Sequence, residues 1–112
     1  MKLLRTLSAA MVVLALSGCA FEKKVLYEVT GTASSVDITI TPADGTLEDY
    51  YGVSLPWFYS FMARSGAPVS IIAQNMGSSG SVEVRIIIDG FPYKSNSRSG
   101  AYVVVSAYGT VP

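Results

Sequence analysis

The sequence predicts an all-β protein, an antiparallel immunoglobulin-like β-sandwich of seven or eight short strands. From Val25 onward, apolar and polar residues alternate with a period of two, and turn residues interrupt this alternation every eight to twelve positions. We find no helix of ordinary length in that part of the chain. This many short strands in about 90 residues is typical of an immunoglobulin-like sandwich. A small closed barrel has a similar strand content and stays open as the alternative.

The N-terminal residues predict an export signal that precedes the β-domain. Lys2 and Arg5 form a basic start, and an apolar run follows at residues 7–16. The run is too short for a membrane-spanning helix, which needs about 20 apolar residues. A basic start followed by a short apolar stretch is the pattern of a secretory signal. We therefore predict a signal peptide over residues 1–18.

The end of this signal predicts a lipid anchor. Leu16-Ser17-Gly18-Cys19 resembles the bacterial lipobox, in which the cysteine thiol takes a diacylglycerol and the preceding bond is cut. We expect cleavage between Gly18 and Cys19, and covalent diacylglycerol and N-acyl lipid on Cys19. Cys19 is the only cysteine, and lipidation accounts for an unpaired cysteine in an exported protein. A generic signal peptide with a free Cys19 is the alternative.

The anchor divides the chain into three parts and predicts where it resides. After the signal, residues 19–24 form the lipidated N-terminus and a short tether, and residues 25–112 form the β-sandwich domain. Two or three acyl chains hold a protein stably to a bilayer, whereas one chain does so only marginally. We expect the protein in the cell envelope, anchored to the outer membrane or to the outer face of the cytoplasmic membrane.

The first half of the predicted domain contains three strands. Val25 begins the first strand, and residues 36–41 then alternate cleanly. A turn is predicted at Pro42-Ala43-Asp44-Gly45, because proline presets φ and glycine tolerates a positive φ. Residues 47–55 form a weaker strand that ends before Pro56, whose nitrogen cannot donate to a ladder.

The second half contains an aromatic strand at residues 57–64 and the clearest alternation in the chain, at residues 81–88. Asp89-Gly90, directly after that alternation, predicts a type I′ hairpin. The other segments of this half are predicted as a strand at 69–75, a Gly/Ser loop at 76–80, a return strand at 91–94, a polar loop at 95–100 and a last strand at 101–108.

The composition argues against an enzyme, a metal site and a nucleic-acid partner. The chain has no histidine, which removes the usual general base near neutral pH and the commonest metal ligand. Asp44, Glu48 and Asp49 cluster near the predicted turn but lack the oxygen spacing of a calcium loop, and we expect a solvated turn there. No Ser-x-x-Lys or Gly-x-Ser-x-Gly pattern is present. The few basic residues are scattered, so no nucleic-acid-binding patch is expected.

Aromatic residues provide the candidate contact surface. Six of them fall within twelve positions: Tyr50, Tyr51, Trp57, Phe58, Tyr59 and Phe61. On the strand at 57–64 both faces are apolar, whereas a sandwich strand has one core face. We expect the row containing Trp57 to face the core. The row containing Phe58 would then be covered by a loop, a partner or the membrane surface, or by nothing. The candidate contact residues are Tyr50, Tyr51, Trp57 and Phe58.

Six short runs resemble the MmpS family of small mycobacterial membrane proteins and related short bacterial lipoproteins. In chain order they are Tyr27–Thr32, Val36–Ile38, Val53–Trp57, Ala73–Asn75, Ile88–Gly90 and Ser99–Tyr102. The resemblance implies a β-sandwich on the outer side of a membrane, acting as an accessory to large transporters that export lipids or siderophores. That family is typically held by a transmembrane helix and has paired cysteines in its β-domain. This chain has a lipobox and no such cysteines.

The sequence therefore predicts a non-catalytic envelope lipoprotein. Its partners are expected to be the membrane, through the lipid on Cys19, and an envelope protein that the β-sandwich binds, in an accessory role to a membrane export system. A small-ligand or glycan-binding module that uses Tyr50, Tyr51 and Trp57 is the alternative, since aromatic rings stack on sugars and serve as interface anchors.

Overall fold

The computed structural model describes residues 22–112, so the predicted signal, the cleavage site and Cys19 lie outside the described part. Eight antiparallel strands make up this part: β1 (Glu22–Thr30), β2 (Val36–Ile40), β3 (Glu48–Val53), β4 (Trp57–Arg64), β5 (Pro68–Asn75), β6 (Ser81–Ile88), β7 (Phe91–Ser99) and β8 (Val104–Thr110). Among these residues no helix is long and apolar enough to cross a membrane.

The strands form two four-stranded sheets, in the orders β4-β1-β6-β7 and β3-β2-β5-β8. Two separate sheets packed face to face confirm the predicted sandwich rather than the closed barrel. Consecutive strands change sheet at five of the seven connections, including the short turn between β3 and β4, which contains a cis Leu55–Pro56 bond. As a result β3 and β4 are edge strands on the same side of the sandwich, and β7 and β8 are edge strands on the other side.

The core is built from the alternating apolar residues that predicted the strands. Fully or almost fully buried side chains come from the inner faces of both sheets: Val25, Tyr27, Val29, Val36, Ile38, Ile40, Val69, Ile71, Val82, Val84, Ile86 and Val105. Most are β-branched, a shape that packs well on a pleated surface. Burial contributes roughly 1.5–3 kcal/mol for each large apolar side chain, so this inner layer is the main source of stability.

The strand boundaries differ most from those predicted at three places. The first strand begins at Glu22 rather than Val25, because Glu22, Lys23 and Lys24 pair with the end of β4. The predicted polar loop at 95–100 is instead strand up to Ser99, since β6 offers backbone pairing along its whole length whatever the side chains are. The last strand begins at Val104 rather than residue 101.

The predicted hairpin at Asp89-Gly90 is confirmed. Ile88 pairs with Phe91, so two residues form the loop, and both have positive φ, 51° and 81°, as a type I′ turn requires. The hairpin is held to β1, because the Lys24 N–H donates to Asp89 Oδ1 at 2.9 Å and the Asp89 N–H donates to the Lys24 carbonyl at 2.9 Å.

One end of the sandwich, which we name the Glu22 end, carries the start of β1. The strand registers place four other segments there: the β2–β3 loop, the β4–β5 turn, the β6–β7 hairpin and residues 110–112. The opposite end carries the loops that follow β1, β3, β5 and β7.

Candidate contact surface

A cluster of half-buried aromatic rings fills the side of the sandwich at which β3 and β4 are the edges. Tyr50 from β3 lies 5.1 Å from Trp57 of β4 between ring centroids, and Trp57 stacks on Tyr59 at 6.2 Å with an interplanar angle of 16°. Phe61 continues the row and lies 5.2 Å from the buried ring of Tyr27. The rings of β4 that were expected to face the core therefore do so.

The opposite row of β4 is exposed, and its strand has a free edge. Phe58 is 55% exposed and Met62 is 51% exposed, with Ser60 between them. β4 pairs with β1 along one side, and no strand in residues 22–112 pairs with its other side. An eight-residue strand with free N–H and C=O groups and apolar side chains is a template for pairing with another chain.

The four predicted contact residues are divided between the interior and two outer faces. Tyr50 and Trp57 pack on each other inside the sandwich, whereas Tyr51 and Phe58 are exposed. Tyr51 belongs to the sheet that contains β3, and Phe58 belongs to the sheet that contains β4, so they point away from each other. Met62 was not among the predicted residues, although its spacing of four from Phe58 already placed both on one strand face.

Exposed polar groups neighbour the β4 row without forming a metal site. Arg85 on the same outer face bridges Glu28 at 3.6 Å and Glu83 at 3.0 Å. In the register, Glu28 lies opposite Phe58 on β4 and opposite Arg85 on β6. No group of three or more potential metal ligands occurs within residues 22–112.

The carboxylates of the acidic residues near the β2–β3 loop accept hydrogen bonds from neighbouring groups. Asp44 accepts from the Thr46 backbone N–H and hydroxyl, and these bonds lower the pKa of the Asp44 carboxyl. The Tyr50 hydroxyl donates to Glu48 at 2.9 Å, which raises the pKa of Tyr50. Asp49 accepts from the Thr39 hydroxyl at 2.7 Å. This is the arrangement of a solvated loop in which each of the three carboxylates has a hydrogen-bond donor.

Two buried side chains, Tyr27 and Asn75, form hydrogen bonds that connect separate parts of the sandwich. The alternation of the sequence did not predict this role for either residue. The Tyr27 hydroxyl donates to the Thr41 carbonyl at 2.6 Å and accepts from the Ser70 N–H at 3.1 Å, which links the two sheets. Burial raises the pKa of Tyr27 to about 12. Asn75 is fully buried and bonds three backbone groups of the loops that follow β5 and β7.

Comparison with known proteins supports the resemblance found in the sequence. A family model described as "Mycobacterium membrane protein" matches residues 7–108, which covers the N-terminal apolar run and the sandwich up to β8. No curated protein matches the chain. The chain thus belongs to the Mycobacterium membrane protein family, of the MmpS type.

Proposed function

We propose that this chain is a non-catalytic, lipid-anchored envelope protein whose sandwich docks onto another envelope protein through the free edge of β4. Family membership supports a membrane-associated accessory protein. The observation that carries the docking proposal is the exposed apolar row of β4, Phe58 and Met62, on a strand that has one free side.

The β4 edge suits an extended segment of a partner. A partner strand that added to β4 would form backbone hydrogen bonds, which give affinity, while alternate side chains would meet the exposed row, which gives specificity. Two of the other three outermost strands, β7 and β3, are less suited. β7 carries mostly exposed polar and charged residues from Lys94 to Ser99, and β3 is short and contains Gly52 with a φ of 62°. Charges on an edge strand discourage strand addition.

The partner expected at the β4 edge is a different protein rather than a second copy of this chain. If β4 strands from two copies paired antiparallel, their β1 strands would also run in opposite directions. The two Glu22 residues would then lie at opposite ends of nine-residue strands, about 30 Å apart along the strand axis. Two lipid-anchored copies on one membrane with short tethers do not reach that arrangement. The partner is therefore an extended protein segment from another envelope component, consistent with an accessory role in membrane export.

The glycan-binding alternative has weaker support. Sugar stacking needs an open aromatic face, whereas Tyr50 and Trp57 are half-buried against each other. Tyr51 alone of the three proposed residues is an exposed ring.

The docking proposal is tested with a matched pair of charge substitutions. Phe58→Lys places a cation in the exposed row of β4, and Tyr108→Lys places one on β8, an edge strand of the other sheet with a comparably exposed aromatic ring. After mild crosslinking in membranes of the native host, we expect the partner to co-purify with the wild type and with Tyr108→Lys but to be depleted at least tenfold with Phe58→Lys. Equal recovery from both variants would contradict the docking proposal.

The anchor is tested separately by intact mass and membrane fractionation. We expect wild-type protein to begin at Cys19 with two or three acyl chains, and Cys19→Ala to lose them and leave the membrane fraction. Wild-type protein that carries a free Cys19 thiol would contradict the anchor and leave the docking test unaffected.

A further inference from the structure

The structure brings the Glu22 end of the sandwich closer to the proposed anchor than the sequence predicted. β1 begins at Glu22, so residues expected to belong to the tether are part of the sheet. Cys19 and Glu22 are separated by three peptide steps, which reach about 10 Å at full extension. If Cys19 carries lipid at the membrane surface, the Glu22 end has to lie within that distance of it.

Two strongly exposed apolar side chains lie at this same end. Phe91 follows the β6–β7 hairpin and is 74% exposed, and Leu47 closes the β2–β3 loop and is 68% exposed. Phe91 belongs to the edge strand of one sheet, and Leu47 precedes the edge strand of the other sheet on the opposite side of the sandwich. The two side chains therefore lie at diagonally opposite corners of the Glu22 end.

Phe91 also borders a recess with a largely apolar lining that opens at this end. The recess has a volume of about 360 Å³. Its lining combines the apolar residues Ile88, Phe91, Pro92, Tyr93 and Pro112 with the charged residues Lys23 and Asp89. Single exposed apolar residues are common on protein surfaces. Their placement at both corners of the end nearest the anchor is what points to a membrane contact.

The charges at the Glu22 end indicate which kind of membrane contact this is. Three basic residues, Lys23, Lys24 and Arg64, lie there with four acidic residues, Glu22, Asp44, Glu48 and Asp89. A surface with no excess of positive charge gains little from anionic lipid. The attraction would come from apolar burial in the interfacial region, the same source that holds amphipathic segments at bilayers.

We propose that the Glu22 end is a lipid-contacting surface, with Phe91 and Leu47 seated in the membrane interface on either side of the anchor. This inference rests on the anchor at Cys19 that belongs to the proposed function. Contact at two diagonal corners holds the sandwich upright on the bilayer, so that the strands run away from the membrane. The β4 edge then stands perpendicular to the surface, with its Arg64 end near the lipid and its Trp57 end pointing outward.

The lone native cysteine makes a direct test feasible with the full lipoprotein. When the Cys19 thiol is held in a thioether, a cysteine introduced elsewhere is the one thiol that reacts with an environment-sensitive fluorophore. We would label Phe91→Cys and Leu47→Cys, with Met76→Cys as the control, because Met76 is exposed in the loop after β5 at the opposite end. Each protein is reconstituted in phosphatidylcholine vesicles with and without a lipid-borne quencher.

We expect quenching at positions 91 and 47 to exceed quenching at position 76 by at least twofold, with the same pattern when phosphatidylglycerol is added. Quenching at 91 and 47 that is no greater than at 76 would overturn the lipid contact while leaving the anchor intact. Quenching that depends on phosphatidylglycerol would overturn the apolar character of the contact. Wild-type protein that itself takes the fluorophore at Cys19 would show that the anchor is missing. The lipid contact would then fall with the anchor, whereas docking at β4 would still be decided by the Phe58→Lys experiment.

Discussion

Removal of the Tyr27 hydroxyl tests whether the two sheets are braced through this buried side chain. Tyr27→Phe keeps the ring and its contact with Phe61 at 5.2 Å, but it leaves the Thr41 carbonyl and the Ser70 N–H without their partner. A buried polar group that loses its hydrogen bond costs about 1–3 kcal/mol. Thr41 is buried and Ser70 is half-buried, so we expect the free energy of unfolding to fall by about 2–3 kcal/mol.

Urea denaturation in detergent measures this loss, because the single tryptophan, Trp57, lies in the half-buried aromatic row and its fluorescence reports unfolding. For a domain of this size, 1 kcal/mol corresponds to a change of about 4–8 °C in Tm, so a fall of roughly 8–24 °C is expected for Tyr27→Phe. Tyr108→Phe removes an exposed hydroxyl and serves as the control, with an effect within about 0.5 kcal/mol. If the two variants unfold alike, the brace between the sheets contributes no stability and the reasoning is refuted.

Three further predictions concern buried groups and the backbone. Burial raises the pKa of Tyr27 to about 12, so the unfolded chain releases this proton near pH 10 while the folded chain keeps it. The stability that Tyr27 contributes is fully present below about pH 10 and is lost, by about 2–3 kcal/mol, as the pH rises to about 12. Equal slopes for wild type and Tyr27→Phe in alkaline denaturation would refute this. Asn75→Ala leaves buried loop groups unpaired and is expected to cost about 2–4 kcal/mol in urea denaturation; a loss under about 1 kcal/mol would show that the amide is dispensable. Gly31→Ala drives a Cβ into the Ser81 carbonyl oxygen, and thermal circular dichroism should show at least 3 kcal/mol of destabilisation, roughly the level of a large core defect. Gly45→Ala, where the added Cβ meets nothing, should cost about 1 kcal/mol, and similar losses in both would contradict the close approach.

The sequence predicted the strands well because burial of one sheet face imposes a period of two. In β6, Val82, Val84 and Ile86 are buried while Arg85 is exposed, and each of these positions follows from the alternation. The two-residue hairpin after β6 was equally predictable, because Asp89-Gly90 supplies the two positive φ angles that the turn needs.

The strand boundaries at the sheet edges were not predictable from patterning. β7 extends to Ser99 although residues 95–99 are polar and exposed, since its strand conformation comes from backbone pairing with β6. Similarly, Glu22–Lys24 belong to β1 because β4 provides partners for them. Such pairings depend on which strands become neighbours, and the pattern of a single strand does not contain that information.

The contact surface was predictable in part, for a related reason. Two apolar faces on residues 57–64 required one row to lie outside the core, and the structure assigns Phe58 and Met62 to that row. The division of Tyr50 and Tyr51 between inside and outside depends on the register of β3 against β2, which contains an irregularity between Val36 and Ile38. A shift of one residue in this register would exchange the two rings.

In-cell photocrosslinking at position 58 tests the central proposal most directly. A photoreactive phenylalanine analogue in place of Phe58 is compared with the same analogue in place of Tyr108, in cells of the native host and in the lipidated full chain. We predict a crosslink to one envelope protein at position 58 and none to that protein at position 108. A crosslink between two copies of this chain at position 58, or the same products at both positions, would contradict the proposal that β4 binds an extended segment of another envelope protein.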